Sequence, residues 1–179
     1  FVGTVGGKMY LQSSSSTVCS SYDGTTWTTN SYGIARYAEK TSNFAGVMVL
    51  KISGYLNSFD GTGAPTTVSP NYIRDYVISD GVLYTLGSDG TVRRTTNLKN
   101  WTTVCTGAPS EAYSIGILGR KIYVGTREST IYTYSEPLDS KPPVWVVPEV
   151  DRTAEGSPFP GVFRIKRGGN LSQPLTVTY

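Results

Sequence analysis

The sequence predicts an all-β chain whose main part is a partial β-propeller of four-stranded antiparallel blades. Its clearest sign is a repeat. Gly7-Lys8-Met9-Tyr10-Leu11, Gly81-Val82-Leu83-Tyr84-Thr85 and Arg120-Lys121-Ile122-Tyr123-Val124-Gly125 share one pattern, with a degenerate copy at Gly46-Val47-Met48-Val49-Leu50. Aligned on Tyr10, Met48, Tyr84 and Tyr123, the copies lie 38, 36 and 39 residues apart. That is the period of a blade, a unit whose apolar face only a neighbouring blade can bury. A second sign is that Trp27 follows Tyr10 by 17 residues and Trp101 follows Tyr84 by the same interval. The third is composition: 20 glycines, 10 prolines and 13 tyrosines among abundant Thr and Ser leave almost nothing that reads as helix.

The third copy shows the unit most plainly. Tyr76-Val77-Ile78 is a short strand, Asp80-Gly81 a reversal through positive φ, and Val82–Leu86 the next strand. Ser88-Asp89-Gly90 turns again, Thr91–Thr95 runs back, and Trp101–Val104 is the fourth strand. The fourth copy repeats the order from Ala112 to Ile117, Lys121 to Thr126 and Thr130 to Ser135, with Val144-Trp145-Val146-Val147 expected as its last strand. The first copy runs from Phe1-Val2-Gly3-Thr4-Val5 through Lys8–Gln12 and Thr17–Ser21 to a strand beginning at Trp27. The second lacks the tryptophan and is expected to pack less regularly. Matched Trp27, Trp101 and Trp145 are expected to fill the layers between blades. Tyr32, Tyr37, Tyr55 and Tyr72 fall in expected loops and are candidates for a binding surface.

Composition excludes several classes. A net charge of +3 with basic residues adjacent only in the pairs Arg93-Arg94, Arg120-Lys121 and Lys166-Arg167 gives no nucleic-acid surface. No run approaches the roughly 18 apolar residues that span a bilayer. The absence of histidine leaves no structural zinc site, and no cofactor is expected in the repeat region. Cys19 and Cys105 read first as buried small hydrophobes, with a mutual disulfide or a bond to another segment as alternatives. The first copy begins at the first residue, so the reading expects further blades before Phe1, in the same chain or a partner chain.

Ser21-Tyr22-Asp23-Gly24-Thr25-Thr26-Trp27 suits a turn in which the Asp23 carboxylate accepts backbone N–H groups and Gly24 takes positive φ. It resembles the aspartate-box turn of sialidase-like (BNR-type) propellers in a shorter form. Ser58-Phe59-Asp60-Gly61 is a partial copy, and Thr95-Thr96-Asn97-Leu98-Lys99-Asn100-Trp101 keeps the spacing with Asn97 in place of aspartate. In those families the box is a structural element remote from the active site. The resemblance therefore implies turn and packing roles for Ser21, Asp23, Gly24, Trp27, Asp60, Gly61, Trp101 and Trp145, and no catalytic ones. Sialidase chemistry uses an arginine cluster and a tyrosine–glutamate pair. Arg36, Arg74 and Arg120 read here as solvated or salt-bridged loop residues, while Glu111 and Tyr113 are spaced to share a strand face.

Residues 148–179 change register. Asp151, Glu155, Gly161, Phe163, Ile165, Arg167, Gly168, Leu175, Val177 and Tyr179 follow an order similar to the opening of a Calx-beta domain, a β-sandwich module common in large secreted or surface proteins of bacteria. That resemblance makes Asp151 and Glu155 candidate calcium ligands, as hard oxygen donors. The expected division is a propeller over 1–147 and the start of a sandwich over 148–179. The expected function is a noncatalytic scaffold or binding region of a large extracellular or cell-surface multidomain protein, presenting propeller loops to a protein or glycan. A glycoside-processing enzyme and a cytoplasmic interaction propeller are the alternatives.

Overall fold

A computed structural model describes residues 2–12, 17–32, 37–119, 121–135, 144–150 and 162–167. They form strands joined by turns and hold no helix. The first sheet orders β1 (Val2–Val5), β2 (Lys8–Gln12), β3 (Thr17–Ser21) and β4 (Thr28–Ser31) as a meander. The second repeats it with β5 (Lys40–Phe44), β6 (Val47–Ile52), β7 (Tyr55–Phe59) and the two-residue β8 (Thr66–Thr67). The third has β9 (Ile73–Ser79), β10 (Val82–Gly87), β11 (Val92–Thr95) and β12 (Thr102–Cys105). The fourth has three strands, β13 (Ala112–Leu118), β14 (Lys121–Thr126) and β15 (Ile131–Ser135). Each sheet is antiparallel throughout, and these are four consecutive propeller blades.

The sequence folds this way because the first two strands of every blade meet at a two-residue reversal. Val5 pairs with Lys8, Phe44 with Val47, Ser79 with Val82 and Leu118 with Lys121. Gly6-Gly7, Ala45-Gly46 and Asp80-Gly81 all take positive φ at both positions. That geometry matches the right-handed twist of the flanking strands. Met9-Tyr10, Leu83-Tyr84 and Ile122-Tyr123 accordingly occupy equivalent second strands, as the repeat predicts.

In blade two the alignment needs correction by one residue. Counting from the turn, the partner of Tyr10 (paired with Gly3) and Tyr84 (paired with Val77) is Val49, paired with Ser42, and not Met48. A one-residue slip transfers a side chain to the opposite sheet face. Met48 does face the other way: it packs with Tyr10 of blade one, whereas Val49 packs with Ile73, Tyr76 and Leu83 of blade three.

Three hydrophobic clusters fill the three interfaces between successive blades. Val5, Tyr10 and Val18 meet Met48, Leu50 and Phe59; Phe44, Val49 and Leu56 meet Ile73, Tyr76, Leu83 and Leu98; Val82, Tyr84, Leu86 and Val92 meet Ala112, Ile115, Ile122 and Val124. At roughly 25 cal/mol per Å² of apolar surface buried, such layers dominate stability.

The chain divides into two compact units, Phe1–Glu136 and Pro137–Tyr179. In the second, β16 (Val144–Val150) pairs antiparallel with β17 (Val162–Arg167), Trp145 opposite Lys166 and Val146 opposite Ile165. The expected fourth strand of blade four, at Val144–Val147, thus belongs to another sheet. Its apolar run satisfies either pairing, so composition alone does not choose. Trp145 sits on β16, in the sheet that β16 forms with β17. Asp151, Glu155 and the expected strand at 175–179 lie outside the described residues.

Candidate functional site

Antiparallel meanders put the loops entering each first strand, and the turns joining second to third strands, at one end of the blades. Three of the four candidate binding tyrosines emerge there. Tyr37 precedes β5, Tyr55 begins β7 and Tyr72 precedes β9, and all three are exposed. Tyr55 and Tyr72 pair edge-to-face, with ring centroids 5.6 Å apart at 77°. Tyr72 is held by its backbone: its carbonyl accepts the Ser88 N–H at 3.0 Å, and the next residue, Ile73, donates to the Gly54 carbonyl at 2.7 Å. A side chain on Gly54 would run into the Tyr72 ring, and its φ of +78° is a second reason for glycine.

Tyr113 at the start of β13 extends the row, with the Arg127 guanidinium 5.0 Å from its ring centroid. Spacing alone did not mark Tyr113 as a surface residue; its position at the first residues of an inner strand does. Asp89 accepts hydrogen bonds from Nδ2 of Asn71, the residue before Tyr72, at 3.1 Å and from Arg93 Nη2 at 3.0 Å. The buried Asn71 Oδ1 and Arg93 Nη1 have no hydrogen-bond partner among the described residues.

Tyr32, the fourth candidate, does not join this surface. Its ring packs between blades one and two, 5.0 Å from Phe59 and 6.3 Å from Tyr10. An aromatic ring next to an open apolar layer is drawn into it by burial.

The opposite end carries the box-like turns. Asp23 Oδ1 accepts the N–H groups of Thr25 and Thr26 at 2.8 and 2.7 Å, and Ser21 Oγ accepts that of Gly24 at 2.9 Å. These bonds hold the Asp23 carboxyl far below the usual carboxylate range. The turn at Asn97 repeats them: Asn97 Oδ1 accepts from Lys99 and Asn100 at 3.0 and 2.9 Å, and Thr95 Oγ1 from Leu98 at 2.9 Å. Asp60 makes only part of the set, accepting the Thr62 N–H and hydroxyl, both at 2.8 Å. Gly61 (φ +92°) instead abuts blade one, where its carbonyl accepts the Tyr10 hydroxyl at 3.4 Å.

Trp27 corrects the packing expectation. It is 42% exposed, and its indole N–H folds back onto the Gly24 carbonyl at 3.1 Å. Trp101 packs against the layer between blades two and three. Both precede the outermost strand of a blade, where inter-blade burial depends on what the neighbour offers.

Of the residues nearest to sialidase chemistry, Arg74 is tied to the backbone between Glu111 and Tyr113. Arg74 lies within β9, not in a loop, and donates to the Ala112 carbonyl at 2.8 Å. Glu111 sits in the turn before β13 and so does not share a strand with Tyr113; its carboxylate accepts from Ser110 Oγ at 3.1 Å. Arg36 and Arg120 lie outside the described residues. No disulfide joins Cys19 and Cys105, which are half-buried on blades one and three, in place of the expected full burial. Among the described residues no three His, Cys, Asp or Glu side chains converge as a metal cluster, and no helix is long and apolar enough to cross a membrane.

The inner strands are laced together by polar groups. Lys40 Nζ on β5 pairs with Asp75 Oδ1 on β9 at 2.8 Å and lies over the Tyr76 ring. Asp75 Oδ2 accepts the Ile115 N–H of β13 at 3.1 Å, and Asn43 Nδ2 donates to Thr4 Oγ1 at 3.1 Å. Burial pushes the Tyr76 phenol up to about 12, and its hydroxyl bonds Ser42 Oγ at 3.2 Å. These side chains satisfy the open edges of inner strands, which have a hydrogen-bonded neighbour on one side only.

No family model matches the chain, and no curated protein does. Solved structures do match, β-propeller proteins and computationally designed proteins among them. The computationally designed Ika4 protein superposes with a TM-score of 0.52 at 11% identity, over 76% of this chain and 89% of that one. The WD40 beta propeller domain of Doa1 gives 0.51 at 12% identity, over 74% and 49%. BamB from Moraxella catarrhalis gives 0.51 at 10%, over 75% and 42%. The chain spans less than half of each of these last two proteins. The likeness establishes the β-propeller fold.

Proposed function

We propose that this chain is a noncatalytic binding scaffold that presents the loop end of its blades to a protein or glycan. The observation that carries the reading is the row of exposed tyrosines Tyr37, Tyr55, Tyr72 and Tyr113 across three successive blades. Flat, rigid rings contribute contact area at little entropic cost, which suits them to recognition.

The box-like turns at Asp23 and Asn97 support kinship with BNR-type propellers. Together with the Calx-beta-like order of residues 151–179, they favour a large secreted or cell-surface protein, of the kind found in bacteria, as the setting. In that setting Asp151 and Glu155 would serve as calcium ligands at the start of the sandwich. The test is binding of the chain and of a Tyr55→Ser/Tyr72→Ser double variant to a glycan array and an array of extracellular proteins. Selective binding that the double variant loses supports the reading. Equal binding by both, or turnover of any arrayed glycoside, contradicts it.

A further inference from the structure

The chain covers several tyrosine faces with its own cations. The Lys8 ammonium lies 5.1 Å from the centroid of the Tyr22 ring, that of Lys40 4.7 Å from Tyr76, and the Arg127 guanidinium 5.0 Å from Tyr113. Each pairing sets a positive charge against the negative face of an aromatic ring. Among the described residues no lysine or arginine takes that place over Tyr55 or Tyr72, although both rings are exposed. These two meet edge-to-face instead. Rings near a right angle form a corner in which a compact cation touches two π faces at once.

The corner lies where blades two and three meet, and its parts are fixed before any ligand arrives. Tyr55 follows directly on Ser53-Gly54, a turn with φ of +52° and +78°. The Tyr72 ring lies so close to Gly54 that a side chain there would displace it. In blade three, the Ser88 N–H binds the Tyr72 carbonyl, and the Gly90 carbonyl of the same turn accepts the Ala108 N–H at 2.9 Å. A frame ordered in this way lowers the cost of binding.

The charges beside the corner point the same way. Glu39 pairs with Lys51, four residues before Tyr55, and Asp89 pairs with Arg93 while holding Asn71, the residue before Tyr72. In each pair the carboxylate is the outer partner. Glu39 is 48% exposed against 15% for Lys51, and Asp89 44% against 22% for Arg93. Lys40, the exposed cation of the adjoining inner strand, is already bound to Asp75 and to the Tyr76 carbonyl. Open π faces and outward carboxylates together favour a positive group and disfavour an anionic one. A sugar ring stacks best on one flat face, whereas a right-angled corner suits a compact charge.

We propose that the Tyr55–Tyr72 corner receives a basic side chain of a protein partner, a lysine ammonium or arginine guanidinium seated against both rings in the field of Glu39 and Asp89. The inference rests on the binding-scaffold reading above and names the chemistry of its partner. The test uses fluorescein-labelled octapeptides of lysine, arginine or glutamate, with methyl β-galactoside as the neutral probe. Anisotropy measures peptide binding, NMR of isotope-labelled tyrosine rings locates each probe, and circular dichroism checks the fold of each variant. A basic peptide is expected to shift the Tyr55 and Tyr72 ring signals and to bind less tightly as salt is added. Tyr72→Leu, which keeps an apolar group beside Gly54 but removes the ring, weakens that binding roughly tenfold. Tyr72→Phe, which keeps the π face, retains it, and Tyr22→Leu at the opposite end leaves it unchanged. Basic-peptide binding that ignores Tyr72→Leu, or that Tyr72→Phe abolishes equally, overturns the proposal. So do ring shifts caused only by the galactoside or the glutamate peptide, or by none of the probes. In those cases an arrayed ligand that still depends on Tyr55 and Tyr72 keeps the scaffold reading, and the lack of one ends both.

Discussion

Asp75 ties three blades together: one carboxylate oxygen holds Lys40 of blade two at 2.8 Å, and the other takes the Ile115 N–H of blade four at 3.1 Å. Neighbouring blades in this fold share no backbone ladder, so inter-blade order rests on apolar layers and on side chains of this kind. The pair is partly exposed, Lys40 more so than Asp75, and solvent screening discounts its Coulomb attraction. The hydrogen bond to the Ile115 amide is the larger share of the effect.

Asp75→Ala is therefore expected to destabilise the chain by about 1–3 kcal/mol, because it leaves a strand-edge N–H without its acceptor. Lys40→Met, which removes the ion pair and the contacts of Lys40 with the Tyr76 carbonyl and ring but leaves the Ile115 amide its acceptor, is expected to cost about 1 kcal/mol or less. Urea denaturation of both variants checks the order. A costlier Lys40 variant would show that charge pairing outweighs the amide bond.

Two turns with the same hydrogen bonds are expected to respond differently to acid. The N–H donors of Thr25 and Thr26 lower the Asp23 carboxyl relative to the unfolded chain, so its contribution is present above the unfolded carboxylate range. It is lost as pH falls through the depressed folded value. Asn97 makes the same bonds without a titrating group. Asp23→Asn should thus lessen the acid-induced loss of stability and change little at neutral pH. A carbon-detected NMR titration that finds the Asp23 carboxyl at or above the usual carboxylate range would contradict the assignment.

The two tryptophans that keep step in the sequence should separate in energy. Trp101→Ala is expected to cost roughly 2–4 kcal/mol, since the ring packs on the layer containing Leu56, Ile73 and Leu98. Trp27→Ala should cost about 1 kcal/mol, because the ring is 42% exposed and closes only its own turn. Chemical denaturation that ranks Trp27 as the costlier loss would mean the first blade has a neighbour burying it.

How much of this was legible in the sequence depends on which interaction decides each element. The hairpins at Gly6-Gly7 and Asp80-Gly81 were legible because positive φ at two successive positions is a local demand that few residues meet. The box-like turns were legible for the same reason, down to Asn97 replacing aspartate, since an amide oxygen accepts the same two N–H groups. Even so, Leu98 holds the place of Gly24 at a φ of +62°. Its burial in the layer between blades two and three accounts for a residue that the turn by itself disfavours.

Tertiary competition hid the rest. Blade two has no second-strand tyrosine, and Met48 and Val49 are both apolar, so the register there was set only by the turn at Ala45-Gly46. Tyr32 and Tyr55 look alike in sequence, yet one ring fills an apolar layer and the other stays in solvent. The run at Val144–Val147 would serve as a blade edge or as the partner of β17. Only the competing strand decides between them.

The account rests on successive blades meeting through register-equivalent residues, and methyl–aromatic NOEs in a selectively labelled sample measure that directly. The Tyr10 ring should show NOEs to the methyl groups of Met48 and Leu50, and the Tyr84 ring to those of Ile122 and Val124. A Tyr10 ring with NOEs to Val49 in place of Met48, or a Tyr84 ring with none to blade four, would contradict the blade order and its register.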